Sequence, residues 1–231
     1  MRAGSSVEDA KRRAGEAAAQ LVEPGMFIGL GSGSTARAFV EALGVRVGAG
    51  LQITAVATSS ATATLATSVG ITLMNLDRPI DLAIDGADAI ERSSLTALKG
   101  LGGALVREKI VAHAARRFVL IGDEGKVAGR LMERAGKVPL PVEVLPFGWP
   151  ETQRRLASLG VPQPRHENGR LYLSDNGNYI LDLHDCDYQD PERLGNQIKA
   201  MTGVVDHGLF VGLASSAIIA DASGVTVLNR G

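Results

Sequence analysis

The chain has 231 residues, room for one domain of ordinary size and a smaller companion at roughly 150 residues per domain. Glycine is plentiful (28 residues) and aromatics are few (five Phe, three Tyr, one Trp), which argues against a base-stacking platform for single-stranded nucleic acid; 45% hydrophobic residues argue against disorder. The 24 basic and 25 acidic side chains leave a net charge of −1 with no long run of one sign, so no footprint for DNA, RNA or an anionic membrane is visible.

A first helix is predicted over Ser5–Val22, where Ser5 with Glu8 and Ser6 with Asp9 each match a capping box, and Pro24-Gly25 ends it. The stretch Met1–Arg13 lacks the apolar core of a secretory signal, and a single cysteine, unable to form an intrachain disulfide, fits a reducing cytoplasm. Met26–Leu30 reads as a short apolar strand running into Gly31-Ser32-Gly33-Ser34-Thr35, with a helix over Ala36–Leu43. Val47–Leu76 carries no charge, but its nine hydroxyl side chains argue against a bilayer span. A strand (Gln52–Ala57), a helix capped by Ser59 or Ser60, and a second strand (Ile71–Met74) fit it better. Further strands are predicted at Ile80–Asp85 and Phe118–Ile121, with a helix between them over Gly103–Arg117. Strands alternating with helices predict a doubly wound, mostly parallel, Rossmann-like α/β sheet.

Beyond Leu131 the pattern changes. Val138–Leu145 reads as a strand, Glu151–Leu159 as a helix, and Gly169–His184 as two strands around Asp175-Asn176-Gly177-Asn178. A helix over Pro191–Met201 and a strand over Val204–His207 complete the β-α-β-β-α-β order of a ferredoxin-like α+β unit. The apolar runs Leu209–Leu213 and Val225–Leu228 are expected to return to the first sheet. Residues 1–131 with 208–231 then form the catalytic domain, and residues 132–207 an inserted one.

Three glycine-containing segments carry the candidate chemistry. Gly29-Leu30-Gly31-Ser32-Gly33-Ser34-Thr35-Ala36 opens a helix, whose free N–H groups and dipole favour an anion. Its spacing fits neither the dinucleotide fingerprint nor the P-loop, which leaves a phosphate monoester or a purely structural turn. Asp85-Gly86-Ala87-Asp88 ends an apolar strand on the same edge, as a ligand-facing pair of carboxylates or an Asp-rich turn; Asp81, at the strand's other end, reads as structural. Lys99-Gly100-Leu101-Gly102-Gly103 precedes a helix on which Glu108 falls among Leu105, Ala112 and Ala115, whereas Lys109 and His113 form a polar stripe. Desolvation there would raise the Glu108 carboxyl toward general-base range, unless the side chain snorkels to the helix edge. Lys126 follows another strand and reaches the same edge. The lone Cys186 reads as an ordinary thiol, and four histidines without paired spacing give no sign of a metal site.

These motifs, together with Lys137-Val138-Pro139-Leu140-Pro141-Val142-Glu143-Val144 and Asp175-Asn176-Gly177-Asn178, resemble those of type A ribose-5-phosphate isomerases over nearly the whole chain. The resemblance implies that Ser32, Gly33, Ser34 and Thr35 hold a sugar phosphate with Lys126 and, less directly, Lys11. It also implies that Asp85, Asp88, Lys99 and Glu108, with Gly86, Ala87, Gly100, Leu101 and Gly102, line the reacting end. The reaction implied is interconversion of D-ribose 5-phosphate and D-ribulose 5-phosphate in the non-oxidative pentose phosphate branch, with no cofactor or metal, by a homodimer or homotetramer. The chain departs from the family pattern at Ala89, where Glu is usual, at Leu101, where Gly is usual, and after Gly208-Leu209-Phe210, where Arg often follows. A phosphosugar sensor and an acyl or CoA transferase are the rival readings; a ribulose assay separates them.

Overall fold

The computed structural model describes residues 3–134 and 137–231, the side chains of 3–6 excepted, so the capping boxes expected at Ser5 and Ser6 lie outside the described groups. Helix α1 (Ala3–Ala19) leads into an alternation of β1 (Phe27–Leu30), α2 (Ser34–Gly48), β2 (Thr54–Ala57), α3 (Ser60–Ser68), β3 (Thr72–Leu73) and β4 (Leu82–Gly86). Next come β5 (Ala89–Glu91), β6 (Ala97–Leu98), α4 (Leu105–Ala114), β7 (Phe118–Asp123) and β8 (Val127–Ala128). The later part holds β9 (Leu140–Val144), α5 (Trp149–Leu156), β10 (Val161–Pro164), β11 (His166–Glu167), β12 (Arg170–Leu171), β13 (Tyr179–His184), α6 (Pro191–Lys199) and β14 (Val204–His207). The chain closes with β15 (Leu209–Phe210), β16 (Ser216–Ala220) and β17 (Val225–Asn229).

The main sheet runs β17-β16-β7-β4-β1-β2-β3, parallel throughout except for β17, as the α/β pattern predicts. Its inner strands are buried on both faces, which is why β4 and β7 read as continuous apolar runs. Alternation along the strands divides the core. Leu82 and Ile84 pack with Ala14, Ala18, Phe39 and Leu43 of α1 and α2, whereas Ala83 and Leu120 pack with Val111 and Ala112 of α4. Helix α4 is shorter than predicted because Ala115 turns away to bridge Ile80.

The second sheet, β10-β13-β9-β14, is antiparallel and packs on α5 and α6 through Leu156, Leu194 and Ile198. Its strand order is the ferredoxin-like one, but its second strand is not the one expected. Gly169–His184 does not form a full hairpin: β12 pairs with β11, and Leu173 makes only an isolated bridge to Tyr179. The partner of β13 is β10, Val161-Pro162-Gln163-Pro164, which tolerates its prolines because it lies at the sheet edge. The run at Leu209 also departs from expectation. Strand β15 joins a small sheet, β15-β6-β5-β8, while Ser216–Ala220, which lies between the two expected runs, enters the main sheet between β7 and β17.

Candidate active site

All three glycine-containing segments meet beyond the carboxyl ends of β1 and β4. The turn from β1 to α2 is held from below: Gly31 N–H donates to the Ile84 carbonyl (2.9 Å) and Ser32 N–H to Asp85 Oδ1 (3.0 Å). A Cβ at Gly31 would fall 2.1 Å from that carboxylate oxygen, so only glycine fits. Gly33 caps α2 with φ 92° and no side-chain cap bond, which leaves first-turn N–H groups open at the positive end of the dipole. The Ser32 hydroxyl is already engaged, at 2.8 Å from both Thr58 Oγ1 and Ser59 Oγ. Thr58, Ser59 and Thr62 therefore shape this loop, although sequence reasoning singled out none of them for it. Their position just past the carboxyl end of β2 was the available signal.

Lys99, Asp85 and Glu108 form a buried cluster, none more than 5% exposed. The Lys99 ammonium lies 2.5 Å from the Gly86 carbonyl, 2.9 Å from Asp85 Oδ2 and 3.4 Å from Glu108 Oε2. Asp85 also accepts the Gly86 N–H (2.7 Å), so both its oxygens are occupied. Burial pushes the Asp85 carboxyl up from its ordinary value, against the pull of Lys99 and the two N–H donors. Burial would lower the Lys99 ammonium, but Asp85 and Glu108 lift it above its ordinary value. Glu108 is pushed up to about 8, first by burial and then by the neighbouring Asp85 charge, with Lys99 opposing. Its Oε2 is buried without a hydrogen-bond partner among the described residues.

A small cleft of about 90 Å³ opens above this cluster. Ser32, Gly33, Ser34, Thr35, Gly86, Ala87, Asp88, Lys99, Gly100, Gly102, Glu108 and Lys126 line it. Three residues expected at the site stand apart from its wall. Asp85 lies beneath it. Leu101 donates its N–H to Asp88 Oδ2 (3.1 Å) while its side chain is 41% exposed. Lys11, on α1, pairs with Glu8 and lies beside Ser34 in a separate surface groove.

The polar stripe expected on α4 is only half present. His113 is exposed, but Lys109 is buried between α4 and β14, where its ammonium meets Asp206 (2.6 Å) and the His207 carbonyl. Burial lowers that ammonium from its ordinary value, with Asp206 opposing. A helical wheel drawn for one covered face does not foresee the second sheet covering the other. Asp81 sits at the opposite end of β4, accepting the Phe27 N–H (2.9 Å), as a structural residue does. The Cys186 thiol is buried, and burial pushes it up to about 11.

A family model described as ribose 5-phosphate isomerase A (phosphoriboisomerase A) matches residues 54–224. The ribose-5-phosphate isomerase A of Thermomicrobium roseum is 51% identical over 96% of this chain and 94% of that protein. Its counterpart in Gluconobacter oxydans is 47% identical over 96% and 97%. Among solved structures, ribose 5-phosphate isomerase A from Methanocaldococcus jannaschii superposes with a TM-score of 0.91 at 36% identity, covering 96% of this chain and 99% of that one. A D-ribose-5-phosphate isomerase in complex with phospho-erythronic acid gives 0.91 at 33% identity, with 97% and 99% covered. With three quarters of its length matched by the family model and half its residues shared with a full-length relative, the chain belongs to the ribose 5-phosphate isomerase A family of enzymes.

Proposed function

We propose that this chain interconverts D-ribose 5-phosphate and D-ribulose 5-phosphate through an enediolate, with Glu108 as the base, as a step of the non-oxidative pentose phosphate branch. The observation that carries this reading is the Glu108 carboxyl itself: buried, raised to about 8, bordering the cleft, and beside an ammonium. A carboxylate of that basicity suits removal of a proton from carbon next to a carbonyl near neutral pH.

In the forward direction Glu108 takes the C2 proton of the open-chain aldose, and the electron pair moves onto the C1 carbonyl oxygen. The Lys99 cation stabilises the oxyanion that develops. The O2 hydroxyl then gives up its proton, O1 receives one, and the C1 carbon takes back the proton held by Glu108. The product is the ketose, with no net change in protons or electrons. Asp88, whose carboxylate borders the cleft, is placed to hold a sugar hydroxyl or to move the ring-oxygen proton on opening. Asp85, with both oxygens committed, acts through Lys99 and the Ser32 and Gly86 N–H groups instead of on the sugar.

The phosphate is assigned to the open N-terminus of α2, Ser32 to Thr35, with Lys126 as counter-charge. Binding the far end in this way serves to position the reacting carbons. Phospho-erythronic acid, the ligand of the related structure, carries a carboxylate that imitates the enediolate oxygens and is taken as a ligand of the same cleft. The same reading makes the protein a cytoplasmic homodimer or homotetramer, with residues 132–207 inserted between the two parts of the catalytic domain.

The test is Glu108→Gln. Ribulose formation should fall by at least the ~10² expected for a general base, while calorimetric binding of ribose 5-phosphate persists. Near-normal turnover removes Glu108 from the role.

A further inference from the structure

Loop 99–103 is oriented by residues far away in sequence. Arg165, just after β10, directs Nη1 at the carbonyls of Gly100 (3.2 Å) and Leu101 (2.8 Å). Its other edge is fixed by a two-pronged pairing with Asp182 of β13, Nε to Oδ2 at 2.8 Å and Nη2 to Oδ1. Its main chain is pinned as well, the N–H to the Ile180 carbonyl and the carbonyl to the Tyr172 N–H, both at 2.9 Å. Tyr172 packs near the guanidinium, 5.7 Å from ring centroid to Cζ, and its hydroxyl donates to the Gly102 carbonyl (3.3 Å). The ring lies so close to Gly103 that a Cβ there would meet the Tyr172 oxygen at 2.2 Å.

Peptide planarity converts these contacts into a direction. In a trans peptide the carbonyl of one residue and the N–H of the next point opposite ways. Holding the Gly100 carbonyl on the Arg165 side turns the Leu101 N–H away from it, where it meets Asp88. Holding the Leu101 carbonyl there turns the Gly102 N–H the same way, toward the cleft that Gly102 lines. The Gly103 N–H is spent inside the turn, on the Gly100 carbonyl (2.9 Å). Among the described residues the Gly102 N–H has no partner, so it stands as an unspent donor beside Lys99.

We infer that Arg165, braced by Asp182 and Tyr172, is a positioning residue for the isomerisation: by capturing the Gly100 and Leu101 carbonyls it aims the Gly102 N–H at the oxyanion of the enediolate. This rests on the reaction assigned above. Arg165 does not line the cleft and touches no reacting atom. The fork geometry matters, because one planar guanidinium grips both carboxylate oxygens along one edge and two carbonyls from the other side, whereas a lysine ammonium is a compact point charge without that fork.

The test measures isomerisation together with calorimetric binding of phospho-erythronic acid and of inorganic phosphate, for the parent, Arg165→Lys, Arg165→Ala and Tyr172→Phe. Arg165→Ala should lower kcat about 10²-fold, the scale of one lost oxyanion donor, with KM within about threefold. Phospho-erythronic acid affinity should fall by a comparable factor while inorganic phosphate affinity holds, and added guanidinium ion should restore part of kcat in this variant alone. Arg165→Lys keeps the charge beside Asp182 and so remains a folded comparison; it should lose about tenfold in kcat. Tyr172→Phe, missing one long hydrogen bond, should lose only about two- to fivefold. Unchanged kcat in Arg165→Lys overturns the inference, as does a loss of kcat with phospho-erythronic acid affinity intact, or with inorganic phosphate affinity lost in parallel. If the parent does not isomerise ribose 5-phosphate, the reaction assignment fails. The effect of the Arg165 variants on phospho-erythronic acid affinity then still decides whether the loop is aimed by Arg165.

Discussion

Loop 29–35 draws its partners from the strands beside it, whereas loop 99–103 depends on residues that arrive much later in the chain. The first loop is tied to Ile84, Asp85, Thr58, Ser59 and Thr62, all lying between the end of β2 and β4. The second has its Lys99 N–H on the Gly208 carbonyl and its own carbonyls on Arg165 and Tyr172. The difference follows from what each loop is assigned to do. Gripping a phosphate needs N–H groups at a helix start, which a single β-α turn supplies. Aiming donors at a charge that exists only during reaction needs peptides fixed from outside, since a free loop would spend its donors on itself. Asp85 is a side chain common to both, through the Ser32 N–H and the Lys99 ammonium.

Breaking that shared point should produce the largest effect. Asp85→Ala leaves Lys99 buried with a weaker partner, a change that typically costs about 3–5 kcal/mol. At roughly 2–4 °C per kcal/mol for a chain of this size, calorimetry should show Tm lowered by on the order of 6–20 °C, with kcat and KM both impaired. A loss confined to one constant would mean that the loops are held independently.

The reacting end alone is probed by pH. In the proposed role Glu108 works as a carboxylate, and its proton is held up to about 8, so log kcat/KM should rise with unit slope below that value and level off above it. At two units below, activity should be about 10²-fold reduced. A flat profile between pH 6 and 8, determined with stopped ribulose assays, would remove the raised carboxyl from the rate equation. The smallest of these effects belongs to the phosphate end. Lys126→Ala should raise KM about tenfold, the scale of one charge-assisted hydrogen bond, with kcat within about twofold. An unchanged KM would take Lys126 out of the phosphate site.

Local signals made most of the site legible. Gly31 and Gly33 mark a turn that no side chain tolerates, and the strand ending in Asp85 to Asp88 delivers its carboxylates to the same edge. Glu108 could be singled out because a charge amid Leu105 and Ala112 is anomalous on an apolar face. What escaped was decided across the chain. Lys109 reads as a surface residue until β14 brings Asp206 over it. Val161–Pro164, with two prolines in four residues, carries no strand pattern of its own until β13 offers an edge where missing N–H groups cost nothing. Ser216–Ala220 is a short apolar run whose Ile218 and Ile219 suit a buried strand, but its place between β7 and β17 is decided only by the closed sheet.

By itself the sequence determined the parallel sheet, the edge at which the candidate site forms and the residue types gathered there, because strand runs, helix starts and glycine turns are written in neighbouring residues. Only the tertiary structure decided which groups remain free to act. It engaged the Ser32 hydroxyl and both Asp85 oxygens, buried the Glu108 carboxyl beside the Lys99 ammonium, and set Arg165 behind a loop more than sixty residues upstream. Hydrogen bonds and burial between distant segments exist only once the chain has closed on itself, so no local pattern could have assigned them.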